Sequence, residues 1–445
     1  LSFEKLDNGF YRIGIHIADV THYVRPGSPL DHEAYERGTS VYLVDRTIPM
    51  LPEALSNNLC SLRPNEDKLC YSAVFDLDDN AKVHKEWFGH TVINSDRRFN
   101  YEEAQQVIET GEGDLSDVIL KLNDLAQIMR KQRFDNNAVN FETEEVKFKL
   151  DEEGHPVGVY LKVQKEANWL IEEIMLLANK RVAEKIGRKR VTDKKPNVFV
   201  YRIHDEPNME KLESLRSFAH NFGYTLGPVN NGREISKALN TLFEESKDTP
   251  EFGAIELLSL RTMAKARYST DNIGHYGLAF RYYTHFTSPI RRYPDLEIHR
   301  MIKKMLHGEL DEKSASNYRK KMPDWAKHCS KQERIAEDAE RDTDALKKVE
   351  YMEDKVGEIY EGIISGVTGW GIYVELPNTI EGMVALNQMD DDFYEFDDKN
   401  MLVYGKRTKK SYRLGDRVTV SVSKVDRMMG TIDFAFEEGF ETFED

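Results

Sequence analysis

Between His275 and Asp295 the sequence concentrates groups able to act on an anion. Tyr282, Tyr283, Thr284, His285, Thr287 and Ser288 supply rings and hydroxyls, and Arg291-Arg292 supply two guanidinium forks. Ser288-Pro289 sets an N-cap residue before the residue favoured at the first helical position, so a helix start is expected there. Its unpaired N–H groups, with Arg291 and Arg292 in the same turn, would form an anion site. Pro294 does not fit further inside one helix, so a break is expected, with a second helix from near Pro294 to about Leu306 and both arginines facing outward at the bend. An arbitrary Arg-Arg pair after a turn is more often solvated surface.

Other candidates lie far away in sequence. Tyr42 follows Arg37-Gly38-Thr39-Ser40, a polar, Gly-flanked setting in which a ring can stack on a base. Asn168, Glu172 and Asn179 form a polar stripe between two apolar faces of a helix expected over 163–186, which would bury Glu172 and demand a cation, an arginine or a sugar hydroxyl as partner. On a charged helix expected over 325–349, Glu333, Glu337, Glu340 and Asp344 make one acidic face, a pattern that is usually solvated. Asp19 ends a strand, where a carboxylate is more often a local acceptor than a metal ligand. His204 and Asp205 are adjacent and would point apart on a strand, which favours a structural role.

Thr287-Ser288-Pro289-Ile290-Arg291-Arg292-Tyr293-Pro294-Asp295 closely resembles the signature of the ribonuclease II/ribonuclease R family of exoribonucleases. Tyr11 to Val20, the block from Arg37 to Leu62, and Ile171-Glu172-Glu173-Ile174-Met175-Leu176-Leu177-Ala178-Asn179 resemble the same family. The resemblance implies that Arg291 holds phosphate at the catalytic centre, with Arg292 beside it. It further implies that Tyr42 stacks on the terminal nucleotide, that Phe141 stands where relatives carry a second stacking ring, and that Glu172 and Glu340 lie beside the 3′ end. Mg²⁺ ions would activate water. In relatives their ligands are an Asp-rich segment that would directly precede Leu1, so a truncated chain is expected, with Asp19 a weak substitute.

These residues need elements to position them. Alternation over residues 10–20 after Asp7-Asn8-Gly9 reads as an opening β-hairpin, and Tyr71, Ala73, Phe75 and Leu77 alternate on a later strand. The period turns helical over 101–133, returns to a strand over 146–150, and is mostly helical from 208 to 270. From Gly357, short strands with Gly turns read as a small β-barrel that resembles an S1-type OB fold. Trp370 and Tyr373 would offer rings to single-stranded RNA, and Lys406, Arg407, Lys409, Lys410 and Arg413 would add charge. Ala385 stands where many such domains carry a histidine. A phosphate-tracking role is open to the basic run Lys185 to Arg190 with Lys194-Lys195, although such runs are usually solvated.

The expected architecture is α+β: an RNB-type catalytic domain with a mixed sheet and packed helices over 1–350, an S1-type OB-fold barrel over 356–438, and an acidic tail over 439–445. A length of 445 residues, 40% hydrophobic and 31% charged, suits such a multidomain globular chain. The net charge of −16 argues against a wholly nucleic-acid-binding surface, yet leaves room for a local basic strip. Cys60, Cys70 and Cys329 show no Cys-x-x-Cys spacing, which disfavours a disulfide framework or zinc site and fits a reducing cytoplasm. No apolar run approaches the roughly 18 residues of a spanning helix. Two functional readings stand. One is a monomeric, processive, Mg²⁺-dependent 3′-to-5′ exoribonuclease releasing nucleoside 5′-monophosphates from single-stranded RNA. The other is an RNA-binding relative with impaired catalysis, because the Asp cluster expected before Leu1 is absent. A translation-associated OB protein would account for residues 356–438 only.

Overall fold

The computed structural model describes residues 1–141, 145–188, 198–227, 229, 231–249, 251–397 and 401–437. The tail over 439–445 and Lys189, Arg190, Lys194 and Lys195 of the basic run lie outside the described residues.

The chain opens on the expected hairpin, β1 (Ser2–Lys5) and β2 (Tyr11–Ala18), joined through Gly9 at φ +82°. Short helices α1 (Val20–Tyr23) and α2 (Pro29–Arg37) lead to a two-residue pair, β3 (Val41–Tyr42) with β4 (Thr47–Ile48). The long strands β5 (Asp67–Leu77) and β6 (Val83–Asn94) complete an antiparallel sheet in the order β1-β2-β5-β6. Its register sets Ile13 opposite Phe75, Ile15 opposite Ala73 and Ile17 opposite Tyr71. That alternation gives the sheet one apolar face, and Tyr71, Ala73, Phe75 and Leu77 are fully buried on it.

Helices α3 (Tyr101–Thr110) and α4 (Ser116–Asp135) follow, then the hairpin β7 (Glu145–Leu150) and β8 (Pro156–Lys162), and α5 (Glu166–Gly187). Leu122 and Leu125 of α4 and Leu170, Ile174, Ala178 and Val182 of α5 pack in the same core as the sheet. After β9 (Tyr201–Ile203), helices α6 (Met209–Asn221), α7 (Gly232–Ser246) and α8 (Phe252–Thr262) form a separate apolar cluster. Strand β10 (Arg267–Ser269) pairs with β9. Helix α9 (Tyr293–Leu306) returns to the main core, and α10 (Glu312–Met352) extends well beyond the expected 325–349.

The last strands are β11 (Ile359–Val367), β12 (Gly371–Glu375), β13 (Glu381–Ala385), β14 (Tyr394–Asp397), β15 (Leu402–Gly405), β16 (Ser411–Arg413), β17 (Arg417–Asp426) and β18 (Thr431–Phe436). Strands β11-β12-β13-β18-β17 close a barrel, with β14-β15-β16 as a separate sheet. Val349 and Met352 of α10 enter the barrel's apolar core, so the long helix joins the two parts. No helix among the described residues is long and apolar enough to cross a membrane.

Candidate active site

The arginine stretch is pinned by its backbone. Ser288 starts a turn rather than a helix: its carbonyl accepts from the Arg291 and Arg292 N–H groups at 3.2 and 3.0 Å. The helix begins at Tyr293, after Arg292 in an extended conformation (φ −138°, ψ 123°). Pro294 therefore sits in a first turn, where its missing N–H costs nothing. The Arg291 carbonyl accepts from Ser40 N–H at 3.0 Å and from the Thr39 hydroxyl at 3.1 Å, and Tyr293 N–H donates to Gly38 O at 2.9 Å. Gly38 has φ +68°, and a Cβ there would come 2.8 Å from the Gln332 side chain of α10. Only glycine lets this loop lie on the long helix.

The two arginines part company. Arg291 is exposed. The outward placement expected for Arg292 is corrected: its side chain is 17% exposed and grips Asp295 through Nε and a terminal nitrogen at 2.9 and 2.8 Å. Asp295 is fully buried and also accepts from Ser288 N–H at 2.7 Å. Burial opposes the charge on Arg292, but Asp295 and Tyr268 outweigh it and hold the guanidinium above the ordinary arginine range. The driving physics is a buried bidentate pair, which leaves Arg292 a local structural role.

Beneath lies a network that motif reading missed. Arg202 of β9 donates to Glu333 of α10 at 2.5 Å and lies 4.8 Å over the Tyr268 ring. The Tyr268 hydroxyl meets His285 Nδ1 at 2.8 Å. Burial, reinforced by Arg292 and Arg202, pushes the His285 pKa well below its ordinary value. Burial likewise lowers His204, and lowers His275 to about 3 with help from His204 and Arg202. As expected, His204 is structural: it meets Ala264 O at 2.6 Å and accepts from Gly277 N–H at 3.0 Å. These histidines have a measurable consequence. Above the unfolded histidine pKa of about 6.5 both states are neutral there, so stability is full; below it the unfolded chain takes up protons that the native state refuses. Stability should fall on acidification from pH 7 to 5, by on the order of 1 kcal/mol per pH unit for each histidine. Urea midpoints across that range test this, with His285→Gln expected to fall less steeply; a flat profile would refute it.

The acidic face of α10 serves as a seam to neighbouring segments while part of it, Glu337 with its Lys265 partner, stays about half exposed. Glu333 holds Arg202, Glu337 pairs with Lys265 at 3.1 Å, and Glu340 accepts from Tyr42 N–H at 2.8 Å. Asp344 is partly buried, which raises its carboxyl pKa. Tyr42 thus stands 47% exposed, its backbone on Glu340, and its strand continuous with the Ser40 contact to Arg291. Backbone groups thus join the segments that carry Arg291, Tyr42 and Glu340.

Glu172 is corrected in one respect. The deeply buried carboxylate of α5 is its neighbour Glu173 (3% exposed), whereas Glu172 is 39% exposed. Arg133 serves both, reaching Glu172 at 3.1 Å and Glu173 through Nε at 3.0 Å. Burial raises the Glu173 carboxyl even so. Seven residues along α5, about two turns on one face, Asn179 accepts from Phe286 N–H at 2.8 Å. That bond docks the helix on the arginine stretch. Phe141, by contrast, packs at 5.4 Å on Phe243 in the helical cluster.

On the barrel, Trp370 is 65% exposed and its indole N–H meets the Tyr373 hydroxyl at 3.2 Å. The basic run between β15 and β16 is partly compensated. Lys406 pairs with Glu395 at 2.5 Å, Lys410 with Asp391 at 3.1 Å, and Arg407 donates to Asp391 O at 2.7 Å.

Residues 1–308 match the RNB domain family, and residues 353–436 match the S1 RNA binding domain family. The chain belongs to the RNB family. It is 39% identical to ribonuclease R 1 of Lactococcus lactis over 97% of this chain and 53% of that protein. It is 40% identical to ribonuclease R of Thermotoga maritima over 98% of this chain and 62% of that protein. The RNB chain therefore spans about half to three fifths of these relatives' length. It also superimposes on Mycoplasma genitalium RNase R, solved with ribose-methylated single-stranded RNA, with a TM-score of 0.89 and 26% identity, covering 98% of this chain and 68% of that one.

The Mg²⁺ implied for such an RNB chain finds no ligand set here. Among the described residues no group of three or more His, Cys, Asp or Glu side chains could hold a metal ion. Asp19 is 4% exposed and accepts from the Thr21 hydroxyl at 2.5 Å, with His90 Nδ1 at 3.1 Å. It is a local acceptor, with one partner on each carboxylate oxygen.

Proposed function

We propose that this chain carries the RNA-holding and phosphate-contacting part of a processive 3′-to-5′ exoribonuclease that hydrolyses single-stranded RNA to nucleoside 5′-monophosphates. The observation that carries the reading is the junction at Arg291: its carbonyl is fixed by Thr39 and Ser40, and two residues on Tyr42 N–H is fixed by Glu340. Three segments far apart in sequence are thereby tied together through backbone groups, and the Arg291 and Tyr42 residues they carry are both exposed. Arg291 neutralises the phosphate next to the scissile bond. Tyr42 stacks on the terminal base, and Glu340 and Glu172 receive the sugar hydroxyls of the 3′ end. Trp370 and Tyr373 hold the strand upstream by stacking, which is indifferent to base identity and so suits progressive shortening. The buried, unpaired Cys60, Cys70 and Cys329 suit a reducing compartment, and we assign the protein to the cytoplasm as a monomer.

The test is degradation of a 5′-labelled single-stranded RNA with and without Mg²⁺, using this chain beside a version extended at its N-terminus to the length of its relatives. A ladder shortening progressively from the 3′ end supports the reading. RNA bound by both versions and shortened by neither would replace it with a non-hydrolysing RNA-binding relative. Within the active protein, Tyr42→Ala should change the length of the final undegraded product, because the ring sets where the strand last engages; the same product length would remove that role. Trp370→Ala should weaken RNA binding by about 1–3 kcal/mol, roughly 5- to 150-fold, with turnover on saturating RNA retained. An unchanged Kd would take Trp370 out of the RNA path.

A further inference from the structure

Helix α10 carries a basic stripe apart from its acidic seam. Lys327, Lys331 and Arg334 fall at i, i+4 and i+7, so they share one face, and all three are exposed. With β10 this face bounds a cleft of about 430 Å³ that Arg267 also lines. Tyr268 and Ala326, both buried, contribute apolar lining. Ser330 ties the two walls together, accepting from Tyr268 N–H at 2.9 Å and donating to Ala326 O at 2.7 Å.

The charge balance of this cleft is unlike that of its surroundings. The chain has 78 acidic against 62 basic residues, and Arg202, Lys265 and Arg292 nearby are each matched by an acid. Lys327, Lys331 and Arg334 have no ion-pair partner among the described residues. Arg267 touches Asp205 only at 3.4 Å, with both side chains about half exposed, and Asp271 is the one acid among the lining residues. Like charges at i, i+4 destabilise a helix, and an anion seated among them reverses the sign of that effect. The volume suits a nucleotide-sized group, guanidinium forks match phosphate oxygens, and lysines add point charge.

We propose that the cleft between β10 and α10 is a second phosphate site, in which Lys327, Lys331, Arg334 and Arg267 hold the phosphate of a nucleotide. The inference deepens, and rests on, the reading of the chain as acting on RNA. The phosphate belongs either to the backbone of the RNA strand or to a released nucleoside monophosphate. Tyr268 links the cleft to the centre, since the same residue carries Arg202 over its ring and His285 on its hydroxyl.

The test is a Lys327→Ser/Lys331→Ser/Arg334→Ser variant, with thermal melting as a check on folding, titrated beside the parent with labelled oligouridylate, uridine 5′-monophosphate and inorganic phosphate at several salt concentrations. If the strand occupies the cleft, RNA affinity falls about tenfold and the slope of log K against log salt shrinks by roughly 2, since each single-strand phosphate contact contributes about 0.7. If a mononucleotide occupies it, binding of uridine 5′-monophosphate and phosphate is lost while the RNA slope stays. Either result supports the site and names its source; unchanged affinities and slopes for all three probes overturn it. RNA shortening is read in parallel. Shortening by the N-terminally extended parent with unchanged slopes removes the cleft alone, whereas a reduced slope with no RNA shortened by the extended version removes the nuclease reading and leaves the cleft.

Discussion

Arg291→Ala is expected to lower single-turnover hydrolysis by on the order of 10³-fold or more, the scale on which an arginine facing transition-state charge contributes to phosphoryl transfer. RNA affinity should change little, because one phosphate contact is a small part of a strand held along its length. The geometry makes the experiment clean. The contacts that Arg291 makes to Thr39 and Ser40 use its carbonyl, which alanine retains, so the loop should keep its place while the exposed guanidinium is lost. Arg291→Lys would keep the charge and lose the fork, and should recover only part of the rate. Hydrolysis at the parental rate would remove Arg291 from the chemistry. A rise in Kd matching the loss in rate would reduce it to a binding residue.

The sequence was most readable where a pattern is local. The opening hairpin, the alternating strand through Tyr71 and Phe75, the helix ending at Leu306 and the terminal barrel all follow from periodicity and turn residues within one element. The misreadings arise where a local rule was overridden by a contact distant in sequence. Ser288-Pro289 looks like a helix start, but Ser288 N–H is claimed by Asp295 and the next residues bond to Gly38 and Ser40. The place of Glu172 between two apolar faces predicts its burial. One position decides the matter, because α4 lies against Glu173 and brings Arg133 to it. The face from Glu333 to Asp344 has the spacing of a solvated stripe, and nothing within the helix shows that β9, β10 and β3 bring Arg202, the Lys265 segment and Tyr42 to it. Asn179 lies in the same polar stripe as Glu172, and a polar residue at a buried helix position is a usable signal that another backbone docks there.

Asp295→Ala should be among the most destabilising single changes in the chain. It leaves the Arg292 guanidinium largely buried without its carboxylate and strips Ser288 N–H of its acceptor. Breaking one side of a buried pair costs about 3–5 kcal/mol, so the melting temperature should fall by on the order of 10 °C. Replacing both members, as Arg292→Leu with Asp295→Leu, removes the stranded charge and should regain much of that loss. Rate need not follow stability, because the Asp295 carboxylate also fixes the turn that presents Arg291. The double variant should therefore melt near the parent while hydrolysing RNA well below the parental rate, with Kd for RNA little changed. Full recovery of both properties would show that the pair serves folding alone; a double variant no more stable than Asp295→Ala would show that the Ser288 contact, rather than the buried charge, dominates the energy of the loop.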